Sequence, residues 1–288
     1  MGFENKHSSF KSSVDNTNIF YQSWTKPNAN RLLVIQHGIG EHSGRYANIV
    51  EKLKDSDFSI YALDSRGHGR SEGIRGHVEQ FQYYIEDLSD LIHIALEEQK
   101  QEKFFLLGHS LGGVIALQYT METHNQDRMH GLIVSSPGLK VKFDLEKLVK
   151  RELAKVLAKF MPSFIVDTGL DLNLLSHDKS VIEAYKKDPL THGKISFQMA
   201  NHLFHLSYAI YEKAKNVHIP IFMIHGEKDG IAEARGSIEL DEKVTSKNKT
   251  LKIYPDLYHE LMNEIPERRE EVLSDIKNFL DSVVPEKL

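Results

Sequence analysis

Lys103-Phe104-Phe105-Leu106-Leu107-Gly108-His109-Ser110-Leu111-Gly112-Gly113-Val114-Ile115-Ala116-Leu117 joins two apolar runs through a serine set between glycines. The first run has the length and aromatic content of a buried strand, and the second opens a helix, so Ser110 falls on the turn between them. Such a turn is too sharp for side chains on either flank, which accounts for Gly108 and Gly112. It holds the hydroxyl above the sheet, at a helix N-terminus whose free amides and partial positive charge suit an oxyanion. A Gly-x-Ser-x-Gly string alone is a weak signal. The strand before it and the helix after it make Ser110 a candidate nucleophile.

Working outward, similar short runs of apolar, β-branched or aromatic residues recur at 18–24, 31–36, 58–63, 131–135, 219–224 and 250–254. They read as further strands. From the third run onward helical patterns lie between them. One covers 78–99, with Phe81, Tyr84, Ile85, Leu88, Leu91, Ile92 and Leu96 at helical spacing. Strand alternating with helix predicts an α/β fold, a mostly parallel sheet covered on both faces. From Leu139 to about Tyr211 strand signals vanish and helical segments follow one another, which reads as an insertion over the sheet. The expected organisation is a core of residues 1–138 and 213–288 interrupted by a helical cap over 139–212. No linker or repeat marks a second autonomous domain.

With 288 residues the chain is long enough for a generous core, and a net charge of −5 offers no general attraction for nucleic acid. There is no cysteine, so disulfides, thiol nucleophiles and cysteine zinc sites are excluded. The first residues, Met1-Gly2-Phe3-Glu4-Asn5-Lys6-His7, lack the apolar core of a signal peptide, and Lys6 stands where a myristoylation motif needs Ser or Thr. A cytoplasmic protein is the default expectation. Within the insertion, Leu145, Leu148, Val149, Leu153, Val156, Leu157 and Phe160 form an apolar stripe on a helix rich in Lys and Arg. It reads either as a helix packed on the core or as a contact for an anionic lipid surface, with a movable lid accommodating both.

A serine hydroxyl needs a base, and the base needs an orienting carboxylate. The strand ends supply both. His225-Gly226-Glu227-Lys228-Asp229-Gly230 follows one run and Pro255-Asp256-Leu257-Tyr258-His259-Glu260 follows another, at the sheet edge where open α/β sheets place ligands. His259 is the candidate base. Asp229 is favoured over Glu227 as its partner because the turn carries the later position beyond the strand end, while Asp256 lies too close to His259 on one loop; His225 reads as a turn residue. The oxyanion donors would be the amides of Leu111 and of Ile39, the latter in the glycine-rich turn Gln36-His37-Gly38-Ile39-Gly40-Glu41-His42. No metal is expected, since His37 and His42 lack a carboxylate-and-histidine set at zinc spacing, and Asp64–Gly73 reads as a structural turn network.

Across most of its length the chain resembles the monoacylglycerol lipase and lysophospholipase branch of the α/β-hydrolases, which is serine aminopeptidase S33-like. The matching stretches are His37-Gly38-Ile39-Gly40-Glu41-His42-Ser43-Gly44-Arg45-Tyr46, Asp64-Ser65-Arg66-Gly67-His68-Gly69-Arg70-Ser71, Gly108-His109-Ser110-Leu111-Gly112-Gly113, Asp188–Ser196 and Tyr254-Pro255-Asp256-Leu257-Tyr258-His259-Glu260. The resemblance implies Ser110 as nucleophile, His259 as base, Asp229 as its partner, Ile39 and Leu111 as oxyanion donors, no cofactor, and a helical cap holding an acyl chain. Two features depart from it: Gly230-Ile231-Ala232-Glu233-Ala234 replaces the family's usual aliphatic-Asp-Pro, and the family's pocket cysteines have no counterpart.

The expectation is therefore a serine ester hydrolase acting on glycerol lipids, first of all monoacylglycerol. Phe143, Phe160, Phe164, Phe197, Leu203 and Phe204 would wall an acyl tunnel, and the cap would offer a peripheral membrane contact. The rival activities are a lysophospholipase or short-chain carboxylesterase on the same residues, and a catalytically silent binding protein. Oligomeric state has no signature in the sequence.

Overall fold

The computed structural model describes residues 2–27, 29–122, 124–140 and 159–283. Among them the strands are β1 (Glu4–Lys11), β2 (Asn18–Thr25), β3 (Arg31–Gln36), β4 (Phe58–Leu63), β5 (Phe104–His109), β6 (Met129–Ser135), β7 (Ile165–Asp167), β8 (Lys194–Ser196), β9 (Ile221–Gly226) and β10 (Lys249–Tyr254). The helices are α1 (Ala47–Lys52), α2 (Gln82–Gln99), α3 (Leu111–Glu122), α4 (Lys179–Lys187), α5 (Phe197–Lys213), α6 (Ala234–Lys243) and α7 (Pro266–Ser282). Eight strands make one sheet in the order β1-β2-β4-β3-β5-β6-β9-β10. It is parallel from β4 to β10, with β1 and β2 antiparallel at one edge.

The central strands are apolar without interruption because both faces are covered. Leu32 and Val34 of β3, with Phe104 and Leu106 of β5, pack in one core with Tyr84, Leu88 and Leu91 of α2 and Val114 and Leu117 of α3. Leu33, Ile35, Phe105 and Leu107 point the opposite way, to Ile49 of α1 and Val272, Ile276 and Leu280 of α7. Truncating a fully buried leucine in either layer, such as Leu106→Ala, costs about 2–5 kcal/mol.

Three elements depart from the sequence reading. β1 carries the polar series Glu4-Asn5-Lys6-His7-Ser8-Ser9-Phe10-Lys11, almost all of it exposed, and pairs with β2 from Glu4↔Thr25 to Lys11↔Asn18. An edge strand wetted on both faces has no apolar alternation to announce it. α2 begins at Gln82, not at residue 78. The insertion is not wholly helical, since β7 and β8 pair antiparallel with Ile165 opposite Ser196, and three residues are too few to show a period. Phe143 and the apolar stripe from Leu145 to Leu157 lie outside the described residues, leaving Phe160 as its described member. No helix of the described residues is long and apolar enough to cross a membrane.

The parallel sheet gathers the loops after β3, β5, β9 and β10 at one edge, and the insertion after β6 returns over that edge. The Asp64–Gly73 stretch braces it. Asp64 Oδ1 accepts from the Ser43 amide (2.8 Å) and the Ser43 hydroxyl (2.5 Å), and its Oδ2 accepts from the Arg70 amide (2.8 Å).

Candidate active site

Ser110 links β5 to α3 with φ +53°, a left-handed backbone that a serine adopts at a cost of about 1–3 kcal/mol. The strain is held by neighbours. The Ser110 amide donates to the Ser135 carbonyl (2.9 Å), and its own carbonyl accepts from the amides of Gly113 (3.0 Å) and Gly138 (3.3 Å). The flanking glycines are sterically required, because a Cβ on Gly108 would stand 2.3 Å from the Gly112 carbonyl oxygen and one on Gly112 would stand 2.1 Å from that of Gln36.

On the neighbouring strands the His259 Nδ1–H donates to Asp229 Oδ2 at 2.7 Å. The imidazole is thereby oriented with Nε2 free for chemistry. Asp229 is buried and takes further donors: the amides of Ile231 (2.8 Å) and Ala232 (2.9 Å) on Oδ1, and His225 Nε2–H (3.1 Å) on Oδ2. Burial opposes its ionisation, yet the charge of His259 and these hydrogen bonds outweigh that and hold the carboxyl far below the usual carboxylate range. The unusual residues 230–234 do not disturb this, since they serve through backbone amides that any side chain supplies. Burial likewise opposes charge on His259, but Asp229 raises it above the ordinary imidazole value. Among the described residues it is the one histidine shifted upward. The His109 ring beside it, 4.9 Å between centroids, is pushed down to about 4, chiefly by burial and then by His259. Glu227 and Asp256 are exposed, and Asp256 pairs with Lys228 (2.5 Å). His225, expected to be a turn residue, is fully buried and locks Asp229 from its far side, with Ser237 Oγ 2.8 Å from its Nδ1.

The loop after β3 lies against Ser110: a Cβ on Gly38 would meet Ser110 Cβ at 3.0 Å and Glu41 Oε1 at 2.9 Å. Glu41 Oε1 accepts from the Gly38 amide (2.7 Å) and the Tyr46 hydroxyl (3.0 Å), which fixes the turn. The Ile39 and Leu111 amides have no hydrogen-bond acceptor among the described residues. Leu111 directly follows Ser110 and Ile39 follows Gly38, the residue packed against Ser110 Cβ, so both amides remain candidates for a developing oxyanion. His37 and His42 go separate ways. His37 Nε2 accepts from the Ser65 amide (2.8 Å), and His42 Nε2–H donates to Asp188 (2.9 Å). Among the described residues no cluster of His, Cys, Asp and Glu is arranged to hold a metal ion.

Sequence reasoning missed what ties these loops together. Arg45 donates to both oxygens of Glu260 (2.5 and 2.7 Å) and to Glu41 (3.2 Å), joining the β3 loop to the His259 loop, and its guanidinium lies 4.9 Å over the Tyr185 ring of α4. Tyr185 OH and the His192 amide both donate to the Gly40 carbonyl (2.9 Å each). The carbonyls of Leu174 and Leu175 accept from the amides of His259 (3.3 Å) and Glu260 (2.8 Å). The charged letters were visible in the motifs, but their pairing across some 215 positions has no local signature.

The expected acyl-tunnel walls divide. Leu203 packs on the core, Phe204 is half-buried, and Phe197 stacks on Phe164 at 5.4 Å. Phe160 is 78% exposed and Phe164 49%, so these two form a solvent-facing rim and not an enclosed wall.

Residues 27–266 match the family described as serine aminopeptidase, S33. The chain is 35% identical to a monoacylglycerol lipase of Mycolicibacterium smegmatis over 93% of its own length and 95% of that protein's. It is 31% identical to the phospholipase YtpA of Bacillus subtilis, covering 91% of this chain and 99% of the relative. Among solved structures it superposes on a monoacylglycerol lipase from Paleococcus ferrophilus with a TM-score of 0.78 at 31% identity, covering 99% and 100% of the two chains.

Proposed function

Because this chain belongs to the serine aminopeptidase, S33 family and has the α/β-hydrolase fold, we propose that it cleaves monoacylglycerol to glycerol and a fatty acid through an acyl-enzyme on Ser110. It is a serine ester hydrolase. The observation that carries the assignment of roles is the His259–Asp229 contact of 2.7 Å beside a serine held at φ +53°.

In this mechanism Ser110 Oγ attacks the acyl carbonyl while His259 Nε2 takes its proton; Nδ1 is committed to Asp229, which stabilises the imidazolium without taking its proton. The amides of Ile39 and Leu111 receive the oxyanion. As the tetrahedral adduct collapses, His259 returns the proton to the departing glycerol oxygen, and water then repeats the sequence to release the fatty acid. The acyl chain lies toward α5 along Phe197, Leu203 and Phe204, under the insertion, whose described part here is residues 159–212. We assign the rim of Phe160, Met161, Phe164 and Tyr208, all exposed, to contact with a lipid surface from which the substrate is drawn. Co-sedimentation with phosphatidylglycerol vesicles, wild type against Phe160→Ser/Phe164→Ser, tests that contact; equal binding would remove it.

The activity is tested by hydrolysis of a monoacylglycerol series against lysophosphatidylcholine and a short-chain nitrophenyl ester, with Ser110→Ala alongside. A long-chain monoacylglycerol preference abolished in the variant is expected. A preference for another ester reassigns the substrate, and an inert wild type that does not label with fluorophosphonate removes the reading altogether.

A further inference from the structure

Asp229 is held by four donors that fall two to each oxygen. Oδ1 takes the amides of Ile231 (2.8 Å) and Ala232 (2.9 Å). Oδ2 takes two imidazoles, His259 Nδ1–H at 2.7 Å and His225 Nε2–H at 3.1 Å. The pair of amides keeps the carboxylate from turning, so the oxygen that meets His259 is also the one that meets His225. All three side chains are buried, at 4% exposure for His259, 1% for Asp229 and 0% for His225, and bulk water does not compete for these bonds.

The tautomer of His225 follows from its neighbours. Its Nε2 faces two acceptors, the ionised Asp229 Oδ2 and the Ala232 carbonyl, each at 3.1 Å, and neither can donate. Nε2 therefore carries the proton. Ser237 Oγ stands 2.8 Å from Nδ1, and its hydroxyl donates to that nitrogen. Ser237 lies in the first turn of α6 and is fully buried. A line of donation thus runs from Ser237 through the His225 ring to Asp229, and ends on the oxygen that His259 also uses. Two donors on one oxygen share its charge, so what His225 draws is withdrawn from the bond to His259.

We propose that His225 is a positioning residue that tempers the base: by donating to the shared Oδ2 it fixes the carboxylate from behind and limits how strongly that carboxylate favours protonated His259. This rests on the roles proposed above for Ser110, His259 and Asp229, and sharpens them. A partner that held the imidazolium too tightly would leave Ser110 without an acceptor for its proton at neutral pH. After burial, which opposes charge on His259, and Asp229, which favours it, the carboxylates of Glu260 and Glu41 also favour it, and the His109 ring lies 4.9 Å away. Substitution at 225 or 237 leaves all of those groups in place. Without the His225 donor Oδ2 serves His259 alone, the imidazolium is favoured more, and the base titrates at higher pH. Mere loosening of Asp229 has the opposite sign, because a weaker contact with His259 lets the base titrate at lower pH.

The test is the rate of Ser110 labelling by a fluorophosphonate as a function of pH, which follows the base in the free enzyme and needs no assigned substrate. It compares wild type, His225→Leu, His225→Gln and Ser237→Ala. His225→Leu should lower the limiting rate by about three- to tenfold, the scale of one lost hydrogen bond, and move the acid limb to higher pH. His225→Gln, whose amide N–H reaches about as far as the ring Nε2–H, should recover both. Ser237→Ala weakens the donor without removing it and should move the limb the same way by less. An acid limb that stays in place or moves to lower pH in His225→Leu overturns the proposal, as does a His225→Gln that recovers nothing. If thermal melting shows that His225→Leu has not folded, the direction of the limb in Ser237→Ala decides. A wild type that never labels overturns the roles of Ser110 and His259 instead.

Discussion

Residues 172–192 and residues 160–164 belong to one insertion but are attached in opposite ways. The first stretch is bonded to the loops after β3 and β10: Leu174 and Leu175 hold the His259 loop, Tyr185 and His192 hold Gly40, Asp188 holds His42, and His177 donates to Glu264 (3.0 Å) while stacking on Tyr258 at 3.7 Å. The second stretch exposes Phe160, Met161 and Phe164, and its backbone bonds run to the start of α5, from Phe197 to Phe164 (3.2 Å) and from Gln198 to Pro162 (3.1 Å). In the proposed mechanism, polar tethers that set the position of an oxyanion donor and of a base must be fixed, whereas an apolar rim gains by remaining adaptable. The proposed function would therefore divide admission of substrate and geometry of reaction between these two stretches of the insertion.

Variants at the fixed end should have the largest effects. Ser110→Ala should lower kcat by about 10⁶ with the fold intact, measured by hydrolysis and thermal melting. Asp229→Asn should lower it by about 10⁴ by releasing the His259 tautomer. Its pH profile carries a further sign. The base acts unprotonated, so the acid limb of kcat/KM should lie above the ordinary imidazole value and move down in Asp229→Asn, where the group that raises His259 is gone. For stability the sign is reversed: a raised folded value stabilises below pH of about 6.5 and that contribution fades as pH rises through it. Tyr185→Phe removes one donor from the Gly40 carbonyl and should lower kcat by about three- to tenfold with KM little changed, the scale of one lost hydrogen bond. At the free end, Phe160→Ser/Phe164→Ser should reduce turnover of micellar substrate a few-fold while leaving a monomeric short-chain ester unaffected. Comparable losses on both substrates would show that the two halves are not separate.

Much of this was legible in the chain. The core strands announce themselves because burial on both faces demands unbroken apolar runs, and Ser110 because its turn excludes side chains at 108 and 112. Asp229 and His259 were singled out by their place after strands, and the structure brings the two side chains to 2.7 Å. What stayed hidden was hidden for physical reasons. β1 is polar because it is an edge, β7 and β8 are too short for periodicity, and His225 looked like a turn residue because its bond to Asp229 depends on the turn closed by the Asp229 amide on the Gly226 carbonyl (3.2 Å), which composition does not encode. Phe160 is apolar and near the expected pocket, but direction decides between wall and rim, and the sequence holds no direction there.

The insertion also has a consequence for the birth of the molecule. β6 pairs with β9 along Leu132↔Ile221 to Ser135↔Ile224, and the intervening chain must be synthesised before that seam can close. At ribosomal speed, roughly 85 residues take roughly 4 to 17 seconds. For that interval Leu132, Ile133 and Val134, fully buried in the finished sheet, border an unpaired edge. Early termination within the insertion therefore leaves an adhesive nascent fragment, and protection of that edge is a demand on the cell's chaperones.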